Sequence, residues 1–274
     1  MRVLTFFLLL VSILQQEVGA QSLTPRAAHH YDLGIEKFKK EDYWGALAEY
    51  DTVIMLSPNE PDAYFNRGLV KRKIGDIKGA IADYSQALKL NPYDAAAYYN
   101  RAFLKQMLGQ THAAIEDYTL AIKYNPNDAD AYLNRGEART KLLDYRNAIL
   151  DFTRAIQLKP DYYQAFYNRA NAKRDALDHH GALQDYNKSL EINPQFTAAL
   201  VNRALTYTRM SRFTEALADY TRAIEINPYD GEAFFYRAQT KIKMGDKNGA
   251  CDDMYSAIEV GYDKAFTDFQ KLCQ

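Results

Sequence analysis

Apolar residues recur at helical intervals along this chain, as in Tyr98, Ala102 and the aliphatic stem of Lys105, and the pattern restarts every thirty-four residues. Pro58, Pro92, Pro126, Pro160, Pro194 and Pro228 keep this period, and so do the Asn-Arg pairs at 66–67, 100–101, 134–135, 168–169 and 202–203. With proline at position 32, seven units follow: 27–60, 61–94, 95–128, 129–162, 163–196, 197–230 and 231–264. Each is predicted to be a pair of antiparallel helices. Alanine fills position 20 in all seven (Ala46, Ala80, Ala114, Ala148, Ala182, Ala216, Ala250), where a close crossing leaves room only for a methyl group. Turns are expected at Gly75-Asp76, Gly109-Gln110 and Gly245-Asp246, where glycine supplies the left-handed end of the first helix. Asn91, Asn125, Asn193 and Asn227 precede prolines and stop the second helix. After a two-residue link, acids such as Asp94 and Asp128 cap the next unit. A unit this small buries its apolar face only against its neighbours.

Beyond alanine and proline, the units share an aromatic at position 4, a small residue at 8, an aromatic at 24 and a small residue at 27. Unit two carries Tyr64, Gly68, Ala80, Tyr84, Ala87 and Pro92; unit four carries Tyr132, Gly136, Ala148, Phe152, Ala155 and Pro160. This pattern resembles the tetratricopeptide repeat (TPR) family across residues 27–264. The resemblance implies an all-α fold: a right-handed α-α superhelix of seven helix-turn-helix units whose first helices line a concave groove. The ends depart from the pattern, with His30 and Leu33 in unit one and Met254 and Tyr262 in unit seven, as terminal repeats do. Residues 265–274, with Phe266, Phe269 and Leu272 at helical spacing, are expected to form a capping helix over the last apolar face.

Residues 1–20 read as an export signal: Arg2, the apolar run Val3 to Leu14, and Val18-Gly19-Ala20 before Gln21. Residues 21–26 are a lead-in, and no transmembrane segment is expected once the signal is removed. An exported location, periplasmic or secreted, follows as an expectation. Cys251 and Cys273 both lie near the C-terminus, where they can form a disulfide or remain two buried thiols. A bridge would clamp the last helix and, in the chain-entropy account, contribute about 3 kcal/mol. The chain has 34 Lys and Arg against 35 Asp and Glu, interspersed in every unit, so a nucleic-acid partner is not expected.

The candidate binding residues lie on the first helices. Asn66, Asn100, Asn134, Asn168 and Asn202 form a column at position 6. The TPR resemblance places them in the groove, where the enzyme that adds N-acetylglucosamine to proteins uses such an asparagine ladder on peptide backbones. A carboxamide both donates and accepts; alternatively, each Asn bonds a neighbouring repeat. Beside them stand position-5 residues, Phe65, Tyr99 and Tyr167 among them, and Ile35, Leu69 and Phe103 at position 9, giving way to Glu137, Asn171 and Gln239. These suit a peptide with alternating hydrophobic side chains or pack between repeats. The family's carboxylate clamp requires Lys at position 5, and none is present.

Arginine at position 7 recurs with an acid at 23. Because unit one has the acid Glu49 without the arginine, the acid of one unit is expected to pair with the arginine of the next. His29-His30, His112 and His179-His180 are too scattered for a metal site, and the sequon Asn187-Lys188-Ser189 falls inside a second helix. No nucleophile elbow, zinc-protease or phosphate-loop motif occurs, and the repeats leave no insertion for an active site. The expected function is therefore a non-enzymatic scaffold or adaptor, without cofactor or metal, holding a protein or extended peptide in its groove. The alternative is a structural spacer or assembly subunit of a cell-envelope complex using its convex face and ends.

Overall fold

The computed structural model describes residues 23–273; the expected export signal lies outside them. Fifteen helices and no strands are present among the described residues. The chain divides after Leu108 into two compact units. The first holds α1 (Pro25–Lys39), α2 (Tyr43–Leu56), α3 (Pro61–Lys73), α4 (Ile77–Leu90) and α5 (Ala95–Met107). The second holds α6 (Thr111–Tyr124), α7 (Ala129–Lys141), α8 (Tyr145–Leu158), α9 (Tyr163–Asp175), α10 (His179–Ile192), α11 (Thr197–Arg209), α12 (Phe213–Ile226), α13 (Gly231–Lys243), α14 (Lys247–Glu259) and α15 (Lys264–Cys273). Within each unit every helix packs on the next, and in the second unit the first helices α7, α9, α11 and α13 also touch in succession.

The sequence rules act where they were expected. Position-20 alanines are fully buried throughout. Opposite them lie the position-24 rings Tyr50, Tyr84, Tyr118, Phe152, Tyr186 and Tyr220, each almost completely withdrawn from water. A Cβ on Gly136 would come within 2.6 Å of Phe152, which is why position 8 admits only glycine or alanine. Asn91 ends α4 in extended backbone, and Asp94 accepts the Ala97 amide to start α5. The turn residue at position 15 is left-handed in every hairpin: Gly75, Gly109 and Gly245, but also Glu41, Leu143, Leu177 and Ser211. Helix α1 begins at Pro25, inside the expected lead-in, because Thr24 caps it and proline suits the first turn.

At the C-terminus α15 packs Phe269 and Leu272 against Ala238, Ala250 and Met254, and a disulfide joins Cys251 to Cys273 with a Cα separation of 5.7 Å. Phe266 departs from the expected capping face, since half of it remains exposed; the ten-residue helix presents only one stripe to α14, and Phe266 lies off it.

The ion pairs depart from expectation more instructively. Arg67, Arg135, Arg169, Arg203 and Arg237 each grip the acid of their own repeat, Asp83, Asp151, Asp185, Asp219 and Asp253, through two parallel hydrogen bonds. The two helices of one hairpin run antiparallel, so positions 7 and 23 face each other across the alanine contact. The inter-repeat bond comes from Nη1, which reaches position 25 of the preceding repeat: Asp51, Ser85, Thr119, Thr153, Asn187 or Thr221. A second cation at position 11 joins the pair at Lys71, Arg139, Lys173 and Lys241. In the first repeat His30 and Lys37 take Glu49, so the acid lacking an arginine has partners of its own.

Candidate functional site

Position 6 falls on one side of each first helix, and hydrogen bonds show what the asparagines touch. Asn66 donates through Nδ2 to the Tyr31 hydroxyl at 2.7 Å, and Asn168 donates to Glu137 Oε1 at 2.7 Å. Asn202 donates to the Tyr167 hydroxyl at 3.1 Å and to the Ala198 carbonyl, while its oxygen accepts from Arg174. Asn100 and Asn134 turn back onto Ala96 and Asp130 of their own helices. Asn66, Asn168 and Asn202 thus link to position 5 or 9 of the preceding repeat.

The apolar groove residues are half-buried rather than free. Phe65 leans on Tyr84 with ring centres 5.7 Å apart, and Tyr167 stacks edge-on against Phe196 at 4.9 Å. Phe103 packs against the cluster of Ala80, Tyr84 and Leu104; Tyr99 is half-buried on the same helix. Tyr31, Phe65 and Tyr167 at position 5 each also meet the position-24 tyrosine of their own hairpin, with ring centres 5.9, 5.7 and 6.2 Å apart.

In the second unit these positions converge. Tyr167, Val201, Asn202 and Leu205 surround a depression of 190 Å³, with Asp230 and Glu232 on its rim. Helices α9, α11 and α13 build it because their first turns lie side by side. Three contributors were not singled out from the sequence. Arg174, at position 12, binds Asp175, Tyr186 and Asn202 and so touches the depression through Asn202, while Asp230 and Glu232 line it and add negative charge. A signal for the acids was present, since Asp230 caps α13 by accepting the Ala233 amide, but capping alone does not aim an acid at a groove. Burial raises the Glu137 carboxyl above its ordinary value, against the hydrogen bond from Asn168 and the charge of Lys141, both of which lower it.

Elsewhere, His29 and His30 meet edge-on, and among the described residues no group of three or more His, Cys, Asp or Glu gathers into a metal-binding set. The sequon is locked into packing: Asn187 accepts from Arg203, and Ser189 is fully buried, bonding the Tyr163 carbonyl. Among the described residues no helix is long and apolar enough to cross a membrane.

The repeat geometry agrees with the family comparison. The description "TPR repeat" matches residues 34–75, 68–109 and 107–142, and "Tetratricopeptide repeat" matches 129–162 and 197–230. The chain belongs to the tetratricopeptide repeat family, whose fold supports a protein-interaction scaffold. No curated protein matches the sequence. Among solved structures, a MamA protein is 26% identical with a TM-score of 0.59, covering 62% of this chain and 93% of its own. A tetratricopeptide repeat protein from Parabacteroides merdae is 21% identical at TM-score 0.67, covering 91% and 99%. YrrB, described as a TPR protein with an unusual peptide-binding site, is 22% identical at TM-score 0.56, covering 69% and 98%.

Proposed function

We propose that this protein is an exported scaffold that holds an extended peptide along its first helices. The observation carrying this reading is the depression between α9, α11 and α13, where apolar Val201 and Leu205 lie beside a carboxamide and two acids. Such a mixture takes a peptide with an apolar side chain next to a basic one: the apolar group leaves water in the depression, and the cation faces Asp230 and Glu232. The asparagines contribute in two ways. Those bonded to the preceding repeat hold the groove at one spacing, while the oxygens of Asn66, Asn100 and Asn168 keep acceptor capacity for peptide amides.

Export belongs to the same proposal. It is supported by the N-terminal charge and apolar pattern and by the disulfide, which persists in oxidising compartments.

The test is selection of unstructured peptides on the purified chain, followed by titration of the selected peptide against Leu205→Ala and Glu232→Lys, two residues that line the depression. Binding is expected to weaken about tenfold or more in each case with unchanged circular dichroism. Affinity equal to that of the wild type in both variants would remove the groove from the function.

A further inference from the structure

The second unit carries an apolar fringe that neither its fold nor the groove explains. Leu143 and Leu177 sit at position 15 with φ of 61° and 67°, a backbone region in which leucine is strained and glycine is not. Their side chains bury little inside the protein in return, being 69% and 77% exposed. Leu142 and Met244 are exposed on the same or equivalent turns. Because α7, α9, α11 and α13 lie side by side, all of these turns emerge along one edge, away from the rim that carries Asp230 and Glu232. Strain kept for side chains left mostly exposed points to an external contact.

Charge selects what the contact is. Exposed Lys141 and Arg146 flank the two leucines of the α7–α8 turn, and exposed Lys243 and Lys247 flank Met244. The acids on this edge are already engaged. Asp144 accepts from Asn147, and Asp178 and Asp246 accept the amides of Gly181 and Gly249, so their charge faces the positive ends of the second helices. Asp175 is held by Arg174. Protruding leucine and methionine tips, bordered by exposed cations at the turns of Leu143 and Met244, match the interface of an anionic bilayer, where the cations meet headgroups and the tips enter the acyl boundary. Tips on separate turns also suit a fluid surface, which needs no matching concavity.

We propose that the turn edge of the second unit, through Leu142, Leu143, Leu177 and Met244, docks peripherally on an anionic membrane surface. This edge lies at the opposite end of the first helices from the depression's acidic rim, leaving the groove open to a peptide while the protein is bound. Neither signal alone suffices for stable attachment, so apolar and charged contributions are both required.

Flotation of the full chain with vesicles tests this, using phosphatidylglycerol and phosphatidylcholine in equal parts against phosphatidylcholine alone. Wild-type protein is expected to float with the anionic vesicles only and to release at high salt. Leu143→Gly/Leu177→Gly, which relieves the strained turns and keeps the fold, is expected to lower partitioning about tenfold. A second variant, Arg146→Gln/Lys243→Gln/Lys247→Gln, tests the charges at surface positions without touching the core, and a comparable loss is expected. No flotation of the wild type, or flotation of both variants equal to that of the wild type, would overturn the proposal.

Discussion

Arg135 holds Asp151 in a two-pronged grip, Nε to Oδ2 at 3.0 Å and Nη2 to Oδ1 at 2.7 Å, while Arg139 reaches the same carboxylate at 2.7 Å. Asp151 is almost fully buried between two helices of one hairpin. Replacing it with alanine strands two partly buried cations, so Asp151→Ala is expected to destabilise by about 3 kcal/mol. Thr119→Ala, which removes the outer bond from Arg135 together with an exposed hydroxyl's bond to the Ile115 carbonyl, is expected to lose under about 1 kcal/mol. Chemical denaturation of the two variants checks the order.

The left-handed turns give a prediction of opposite sign at equivalent positions. Leu177→Gly releases strain of about 1–2 kcal/mol and gives back part of it through the greater freedom of glycine when unfolded. A net gain of about 0.5–1 kcal/mol is expected. Gly75→Leu, at φ 88°, is expected to lose a similar amount. Denaturation midpoints moving in the same direction for both would contradict the strain argument.

The disulfide between Cys251 and Cys273 closes a loop of 22 residues' separation onto α15. Its removal in Cys251→Ser/Cys273→Ser is expected to weaken the terminal hairpin by about 3 kcal/mol. Because repeats are stabilised mainly by their neighbours, the loss is expected to stay local. Amide exchange provides the reading: faster exchange in α14 and α15, with α7 and α8 unchanged.

Two glutamates make stability depend on pH in opposite senses. Burial raises the Glu137 carboxyl above its ordinary 4.5, so its contribution is fully present below that value and is lost as pH rises through the raised one. Glu49 is held below 4.5 by the hydrogen bond from Lys37 and then by His30, so its contribution is present above 4.5 and lost as pH falls through the lowered value. Glu137→Gln, which keeps an acceptor for Asn168, is accordingly expected to stabilise at neutral pH by under about 1 kcal/mol. Glu49→Gln is expected to destabilise there. Thermal unfolding of both variants at pH 7 and at acid pH separates the two.

Helix existence and most boundaries were legible without coordinates. Position-20 alanine, pre-proline asparagine and capping aspartate each act within a few residues or through steric limits so tight that composition alone reveals them. The groove was legible only in outline. Tyr167, Val201 and Asn202 could be assigned to one face by spacing, but Glu232 enters it, and Arg174 reaches it through Asn202, from positions whose direction depends on how the next helix lies.

The chain by itself determined the unit, its period and the residues that separate one helix from the next, because local sterics and backbone bonding decide those over a handful of residues. Packing decided the partners. Whether Arg135 meets the acid of its own hairpin or of a neighbour's, whether Asn202 faces a peptide or Tyr167, and whether Phe266 is covered depend on distances between helices remote in sequence. Spacing along a chain fixes a face, while only the crossing of two helices fixes what that face touches.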